Sequence, residues 1–249
     1  MEEAFVFCDR DGRRVSASLS RPPSDTDKGV VLCHGLFGFK DSVTNRTLTR
    51  LLSERNVATL RFDFFGHGSS DGNLNDILLT TLMGQAETAL EVMRGRGFNK
   101  LGLFGASFGG LVALLVGSRT RSLSSLALRC PLADLPEILR QRYGRVAIEL
   151  WRRVGTVPAS IGSVPFHSRF YDDCLRHDAY KAAAQVAAPT LIVHGSQDEL
   201  IPLGQVQRIF DSLKTQKYLE LIAGADHRFS RPADFSRMTE MLAAWLVRH

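Results

Sequence analysis

The chain has 249 residues, 44% hydrophobic and 23% charged, a composition able to build a large core and unlike that of a low-complexity polymer. No apolar run approaches the ~18 residues that a membrane span needs, and the acidic start Met1-Glu2-Glu3 lacks the basic-then-apolar layout of a secretory signal. The net charge is +5, from 31 Lys and Arg against 26 Asp and Glu, but the basic residues are scattered, so the surplus reads as a solvated face rather than a nucleic-acid tract.

In chain order, residues 5–8 and 15–19 flank Asp9-Arg10-Asp11-Gly12, an Asp-Gly hairpin signature. After a proline-bearing loop, residues 29–33 form a continuous apolar run of the kind buried on both faces of a parallel sheet. The loop His34-Gly35-Leu36-Phe37-Gly38 follows it. A helix is expected over 42–55, a strand over 57–62, and a glycine-rich loop from Asp63 to Gly72. Next come a long helix near 75–94, a strand at 101–104, a helix at 108–117 and a strand at 123–129. Strand alternating with helix predicts a parallel sheet with right-handed crossovers. From 131 to about 184 the alternation stops and the sequence is helix-like. That stretch of ~50 residues is too long for an ordinary connection, and is expected to lie over the strand ends, where open α/β sheets bind ligands. Alternation resumes with strands at 190–193 and 218–222 and helices at 203–213 and 232–247. The four cysteines form no CxxC pair; Cys33 and Cys130 end apolar runs and read as buried thiols, with a Cys130–Cys174 bridge left open. A cytoplasmic protein is expected.

Between the strand at 101–104 and the helix at 108–117 stands Gly105-Ala106-Ser107-Phe108-Gly109, the G-x-S-x-G pattern. Its turn is so tight that the flanking residues must lack bulk, and it lifts a serine hydroxyl above the sheet. A serine needs a base, usually a histidine held by a carboxylate. Of seven histidines, His249 and His177 read as surface residues and His167 and His67 as loop residues. His34 and His194 each end a buried strand, as structural histidines bonding loop backbone would. His227 lies between the last strand and the last helix, and is the expected base. Asp198 is the expected acid, with Glu199 as its rival, which gives the chain order serine, acid, histidine. Two backbone N–H groups must meet the oxyanion: that of Phe108, and that of Leu36 or, second, Phe37.

These stretches, with Arg61–Gly72 and Gly224–Ser230, resemble the α/β-hydrolase superfamily, and within it the small cinnamoyl/feruloyl esterases and serine-aminopeptidase-like hydrolases. The resemblance implies an α/β-hydrolase fold, an eight-stranded mostly parallel sheet flanked by helices, with 1–130 and 185–249 as core and 131–184 as a helical cap insertion. It implies ester cleavage by Ser107, Asp198 and His227 through an acyl-enzyme. It gives His67 and Asp63 a structural role in the glycine-rich loop. Ala106 and Phe108 depart from the histidine and glutamine that cinnamoyl esterases often carry there. Phe170-Tyr171 is the nearest echo of that family's phenol-contacting tyrosine. Tyr143, Trp151, Phe166, Phe170 and Tyr171, with Phe37, are candidates to line a substrate pocket, against the alternative that such aromatics are core. No cluster at ligand spacing appears, so neither metal nor cofactor is expected. The partner is a small-molecule ester, with no nucleic acid and no membrane span, and a homodimer is left open. Thioester, amide and C–C hydrolysis or haloperoxidation on the same fold are the alternatives, beside a non-catalytic binding protein.

Overall fold

The apolar run at 29–33 has no polar position, so as a strand it must be covered on both faces. In the computed structural model of the chain, which describes residues 1–156 and 166–249, it is β3 (Lys28–Cys33) in the middle of an eight-stranded sheet. Its side chains alternate with the period of two that pleating imposes. Val31 and Cys33 join the core on one face, and Val30 and Leu32 the core on the other.

The other strands are β1 (Glu2–Cys8), β2 (Arg14–Ser20), β4 (Ala58–Phe62), β5 (Lys100–Ala106), β6 (Ser125–Arg129), β7 (Thr190–Gly195) and β8 (Lys217–Ile222). Their order across the sheet is β1-β2-β4-β3-β5-β6-β7-β8. The β1–β2 and β2–β4 pairs are antiparallel and the rest are parallel. The expected hairpin forms, with the Asp9 carboxylate accepting from the Asp11 and Arg13 N–H groups.

Helix α1 (Val43–Ser53) is capped by the Ser42 hydroxyl, which accepts from Asn45 N–H at 3.3 Å. Its Leu48, Leu51 and Leu52, at helical spacing, pack with Met238 and Leu242 of α8 (Pro232–Arg248) on one face of the sheet. Helices α2 (Leu79–Gly95) and α3 (Phe108–Arg119) cover the other face. Between β6 and β7 the described residues contain α4 (Leu135–Val154), broken at Gly144, then α5 (Ser168–Cys174) and α6 (Ala179–Ala183), and no strand. The remainder of that helix-like stretch, 157–165, lies outside the described residues. Helix α7 (Leu203–Ser212) joins β7 to β8.

One helix start differs from expectation. The sequence pattern runs helical from 75, but the chain makes a single 3-10 turn (Leu74–Asp76), extends through Ile77 and Leu78, and enters α2 only at Leu79. Asp173 of α5 caps α2 across the fold, accepting from Thr80 N–H and Thr80 Oγ1, both at 2.8 Å. A cap brought by tertiary contact leaves no local signature. All four cysteines, Cys130 and Cys174 among them, are free thiols here, and all but Cys8 are buried. No helix of the described residues is long and apolar enough to cross a membrane.

Candidate active site

Ser107 follows β5 directly and holds φ 55°, ψ −118°, a conformation that L-residues other than glycine avoid at a cost of about 1–3 kcal/mol. Its backbone is pinned on both sides. The Ser107 N–H donates to Arg129 O at 2.8 Å, and its carbonyl accepts from Gly110, Leu111 and Leu132. The glycines around it are there for close approach. A Cβ on Gly105 would overlap the Gly109 carbonyl, and one on Gly109 would overlap the carbonyl oxygens of His34 and Cys33. Backbone atoms cannot step aside as a side-chain tip can. Gly109→Ala is therefore expected to destabilise by about 1–3 kcal/mol, lowering the melting temperature by roughly 3–10 °C. Differential scanning fluorimetry reads this directly; an unchanged melt would show that the turn has slack.

Asp198 follows β7 and His227 follows β8, so both reach the sheet edge that carries Ser107. His227 Nδ1 lies 2.7 Å from Asp198 Oδ2, and His227 Nε2 lies 3.1 Å from Ser107 Oγ. Asp198 Oδ1 accepts from the N–H groups of Leu200 and Ile201 at 2.9 and 2.8 Å. Burial alone would raise this carboxyl, but the hydrogen bond to His227 and the two backbone donors outweigh it and hold it at about 2. An ionised carboxylate only accepts, so the Nδ1–Oδ2 bond carries the imidazole proton on Nδ1. Nε2 is then the acceptor facing the serine. Glu199, the rival acid, accepts instead from the His227 backbone N–H at 3.2 Å, and Asp226 accepts from Ser230 N–H.

The loop after β3 abuts the serine: a Cβ on Gly35 would lie 3.4 Å from Ser107 Cβ. Phe108 begins α3, so its N–H has no acceptor within the helix. Among the described residues the N–H groups of Leu36 and Phe108 have no hydrogen-bond partner.

The remaining histidines divide. His34 bonds loop backbone as expected, with Nε2 accepting from Phe64 N–H at 3.1 Å and Nδ1 2.8 Å from Gly35 O. His67 Nδ1 meets Phe65 O, and Asp63 gathers Lys40 and Ser69 N–H, so both tie down the glycine-rich loop. His194 is fully buried with the Ile201 backbone beside its ring, and Nδ1 stops 3.6 Å from the Asp198 carboxylate, which is already engaged by His227. Burial lowers all three imidazoles, His34 to about 4. Unfolded imidazoles take up protons near pH 6.5, so the unfolded chain binds more protons than the native one below that pH. Stability is then lost as pH falls from about 6.5 towards 4, and Asp198 continues the loss between about 4 and 2. The melting temperature is expected to fall steadily from pH 7 to pH 4; a flat profile over that range would contradict the neutral burial of these rings.

Cys130, Asp198 and His227 place potential ligand atoms within 4.8 Å of one another. Burial pushes the Cys130 thiol far up. The carboxylate and imidazole of this trio are already paired with each other, and the second imidazole nitrogen faces Ser107.

A cavity of about 990 Å³ opens over Ser107 and His227. Leu36, Phe37 and Phe108 line it, as do Tyr143 of α4 and Phe166. Trp151, Phe170 and Tyr171 do not. They are 1%, 0% and 3% exposed, and they pack beneath it: Trp151 against Tyr171, and Phe170 against Phe108 and Phe166. These three are therefore core residues rather than pocket lining, since the faces of α4 and α5 that carry them turn inward. Sequence reasoning missed Arg129. It ends β6, lines the cavity, and donates from Nη2 to the His227 carbonyl at 2.8 Å. An arginine closing an apolar strand beside the serine turn was the available signal.

Residues 30–238 match the family described as Alpha/beta hydrolase family. Est1E from Butyrivibrio proteoclasticus, solved with ferulic acid bound, superposes with a TM-score of 0.83 at 24% identity, covering 98% of either chain. Human mitochondrial palmitoyl-protein thioesterase ABHD10 is 22% identical over 215 residues, 83% of this chain and 69% of that protein. The uncharacterized protein YfhR of Escherichia coli K12 is 24% identical over 233 residues, 90% of this chain and 73% of that one. At such identities the structural likeness carries the fold.

Proposed function

The chain belongs to the alpha/beta hydrolase family, and on that premise we propose that it cleaves carboxylic esters through an acyl-enzyme. The observation that carries this reading is the unbroken relay from Asp198 through His227 to Ser107, with contacts of 2.7 and 3.1 Å. Ser107 Oγ attacks the ester carbonyl while His227 Nε2 takes its proton. The imidazolium that forms is stabilised by the Asp198 carboxylate, and it then delivers that proton to the leaving alcohol. Water repeats the sequence on the acyl-enzyme and frees the acid. The N–H groups of Leu36 and Phe108 hold the oxyanion in both steps. In this reading residues 131–184 act as a cap on a core of 1–130 and 185–249, with α4 bringing Tyr143 over the acyl group. A fluorophosphonate is expected to label the wild type and fail on Ser107→Ala, with 4-nitrophenyl butyrate hydrolysis lost in parallel. Absence of both labelling and hydrolysis in the wild type would instead favour a binding protein on this scaffold.

A further inference from the structure

The cavity walls are mostly apolar, yet three of the lining residues are arginines, Arg129, Arg142 and Arg228, and none is an Asp or Glu. Residues 157–165, which adjoin the lining residue Phe166, contain no acid either. Elsewhere the fold compensates a buried guanidinium: Arg61, 2% exposed, pairs with Glu2 at 2.7 Å and Asp41 at 3.0 Å. Arg129 is treated differently. Its Nη1 donates to Thr44 Oγ1 at 3.1 Å and its Nη2 to the His227 carbonyl at 2.8 Å, both neutral acceptors. The guanidinium leans on the Phe229 ring, and its buried Nε has no partner. It forms no ion pair among the described residues. Five N–H donors with two engaged leave three, on a half-buried positive charge whose hydrogen-bond partners are both neutral. Such a charge is costly unless something pairs with it.

We infer that the missing counter-charge is supplied by the substrate: an ester whose apolar body carries an anionic oxygen group, recognised by Arg129. The planar guanidinium suits such a group because it offers two parallel N–H donors. Arg142 and Arg228, exposed at the same cavity, draw the anion in. This rests on the ester-hydrolase reading and names the substrate class of the same site.

The test compares mono-4-nitrophenyl glutarate, which carries a carboxylate, with neutral 4-nitrophenyl pentanoate. The expected wild-type kcat/KM ratio favours the anionic ester about tenfold or more, the scale of a charge-assisted hydrogen bond, and Arg129→Gln brings the ratio close to one. Arg129 also holds the His227 loop, so the ratio rather than the rate is the readout. A fall shared equally by both esters would make Arg129 only a support and overturn the inference. Should Arg129→Gln fail to fold, the Arg142→Gln/Arg228→Gln double variant is expected to raise KM for the anionic ester alone; equal KM changes would count against the inference. Calorimetry on Ser107→Ala with the same two esters separates this from the hydrolase reading. Preferential binding of the anionic ester without wild-type turnover would sink the hydrolase and keep the anion site. Equal binding of both esters would sink the anion site. Competition by glutarate or by inorganic phosphate identifies which anion the site takes.

Discussion

Ser107→Ala is expected to lower kcat for any ester the protein cleaves by about 10⁴–10⁶-fold while leaving the fold intact. The substitution removes one oxygen, the atom 3.1 Å from His227 Nε2. Every other bond that Ser107 makes is through its backbone: the N–H to Arg129 O, and the carbonyl to Gly110, Leu111 and Leu132. Those survive in alanine, and so does the strained φ of 55°, which both residues meet with one Cβ. The melting temperature is therefore expected to stay within about 2 °C of wild type, since changes that touch none of the large destabilising mechanisms stay small. What remains at the site is a base with no nucleophile to activate and two free N–H groups that still polarise a carbonyl. Residual turnover should therefore exceed that in buffer, with KM little changed. A kcat within tenfold of wild type would show that the hydroxyl is not the attacking group, whatever the geometry around it.

The candidate site was legible because its parts are fixed by local chemistry. The apolar run at 29–33, the glycines at 105 and 109, and the loop positions of Asp198 and His227 each have a physical requirement that few residue types meet. Fold order then forces them together, because β3, β5, β7 and β8 run parallel and end at one edge. What was not legible depended on which way an amphipathic segment turns. Tyr143 and Trp151 sit on one helix but on opposite sides of the break at Gly144, where φ is 79°. One lines the cavity and the other lies in the core. Periodicity cannot be carried across such a break. The late start of α2 has the same cause at longer range, a cap from Asp173 that no local pattern records.

Asp198→Asn is the sharper test of the relay, because it preserves shape and changes only proton placement. Asp198 Oδ1 accepts from two backbone N–H groups, at Leu200 and Ile201. In asparagine the carbonyl oxygen must stay there, since turning the amide over would set its NH₂ against both donors. The NH₂ is then forced towards His227 and donates to Nδ1, which has to become an acceptor. The imidazole proton moves to Nε2, where it faces the Ser107 hydroxyl and blocks the uptake of the serine's proton. The expected loss in kcat is about 10⁴-fold, that of a triad in the wrong tautomer, with fluorophosphonate labelling slowed to match. Glu199→Gln provides the control. Its carboxylate touches only the His227 backbone N–H, and an amide oxygen can accept there equally well, so kcat is expected to stay within about tenfold of wild type, a loss of less than about 1.4 kcal/mol. The reverse pattern, a severe loss in Glu199→Gln beside a mild one in Asp198→Asn, would move the acid to position 199 and require the loop after β7 to rearrange before catalysis.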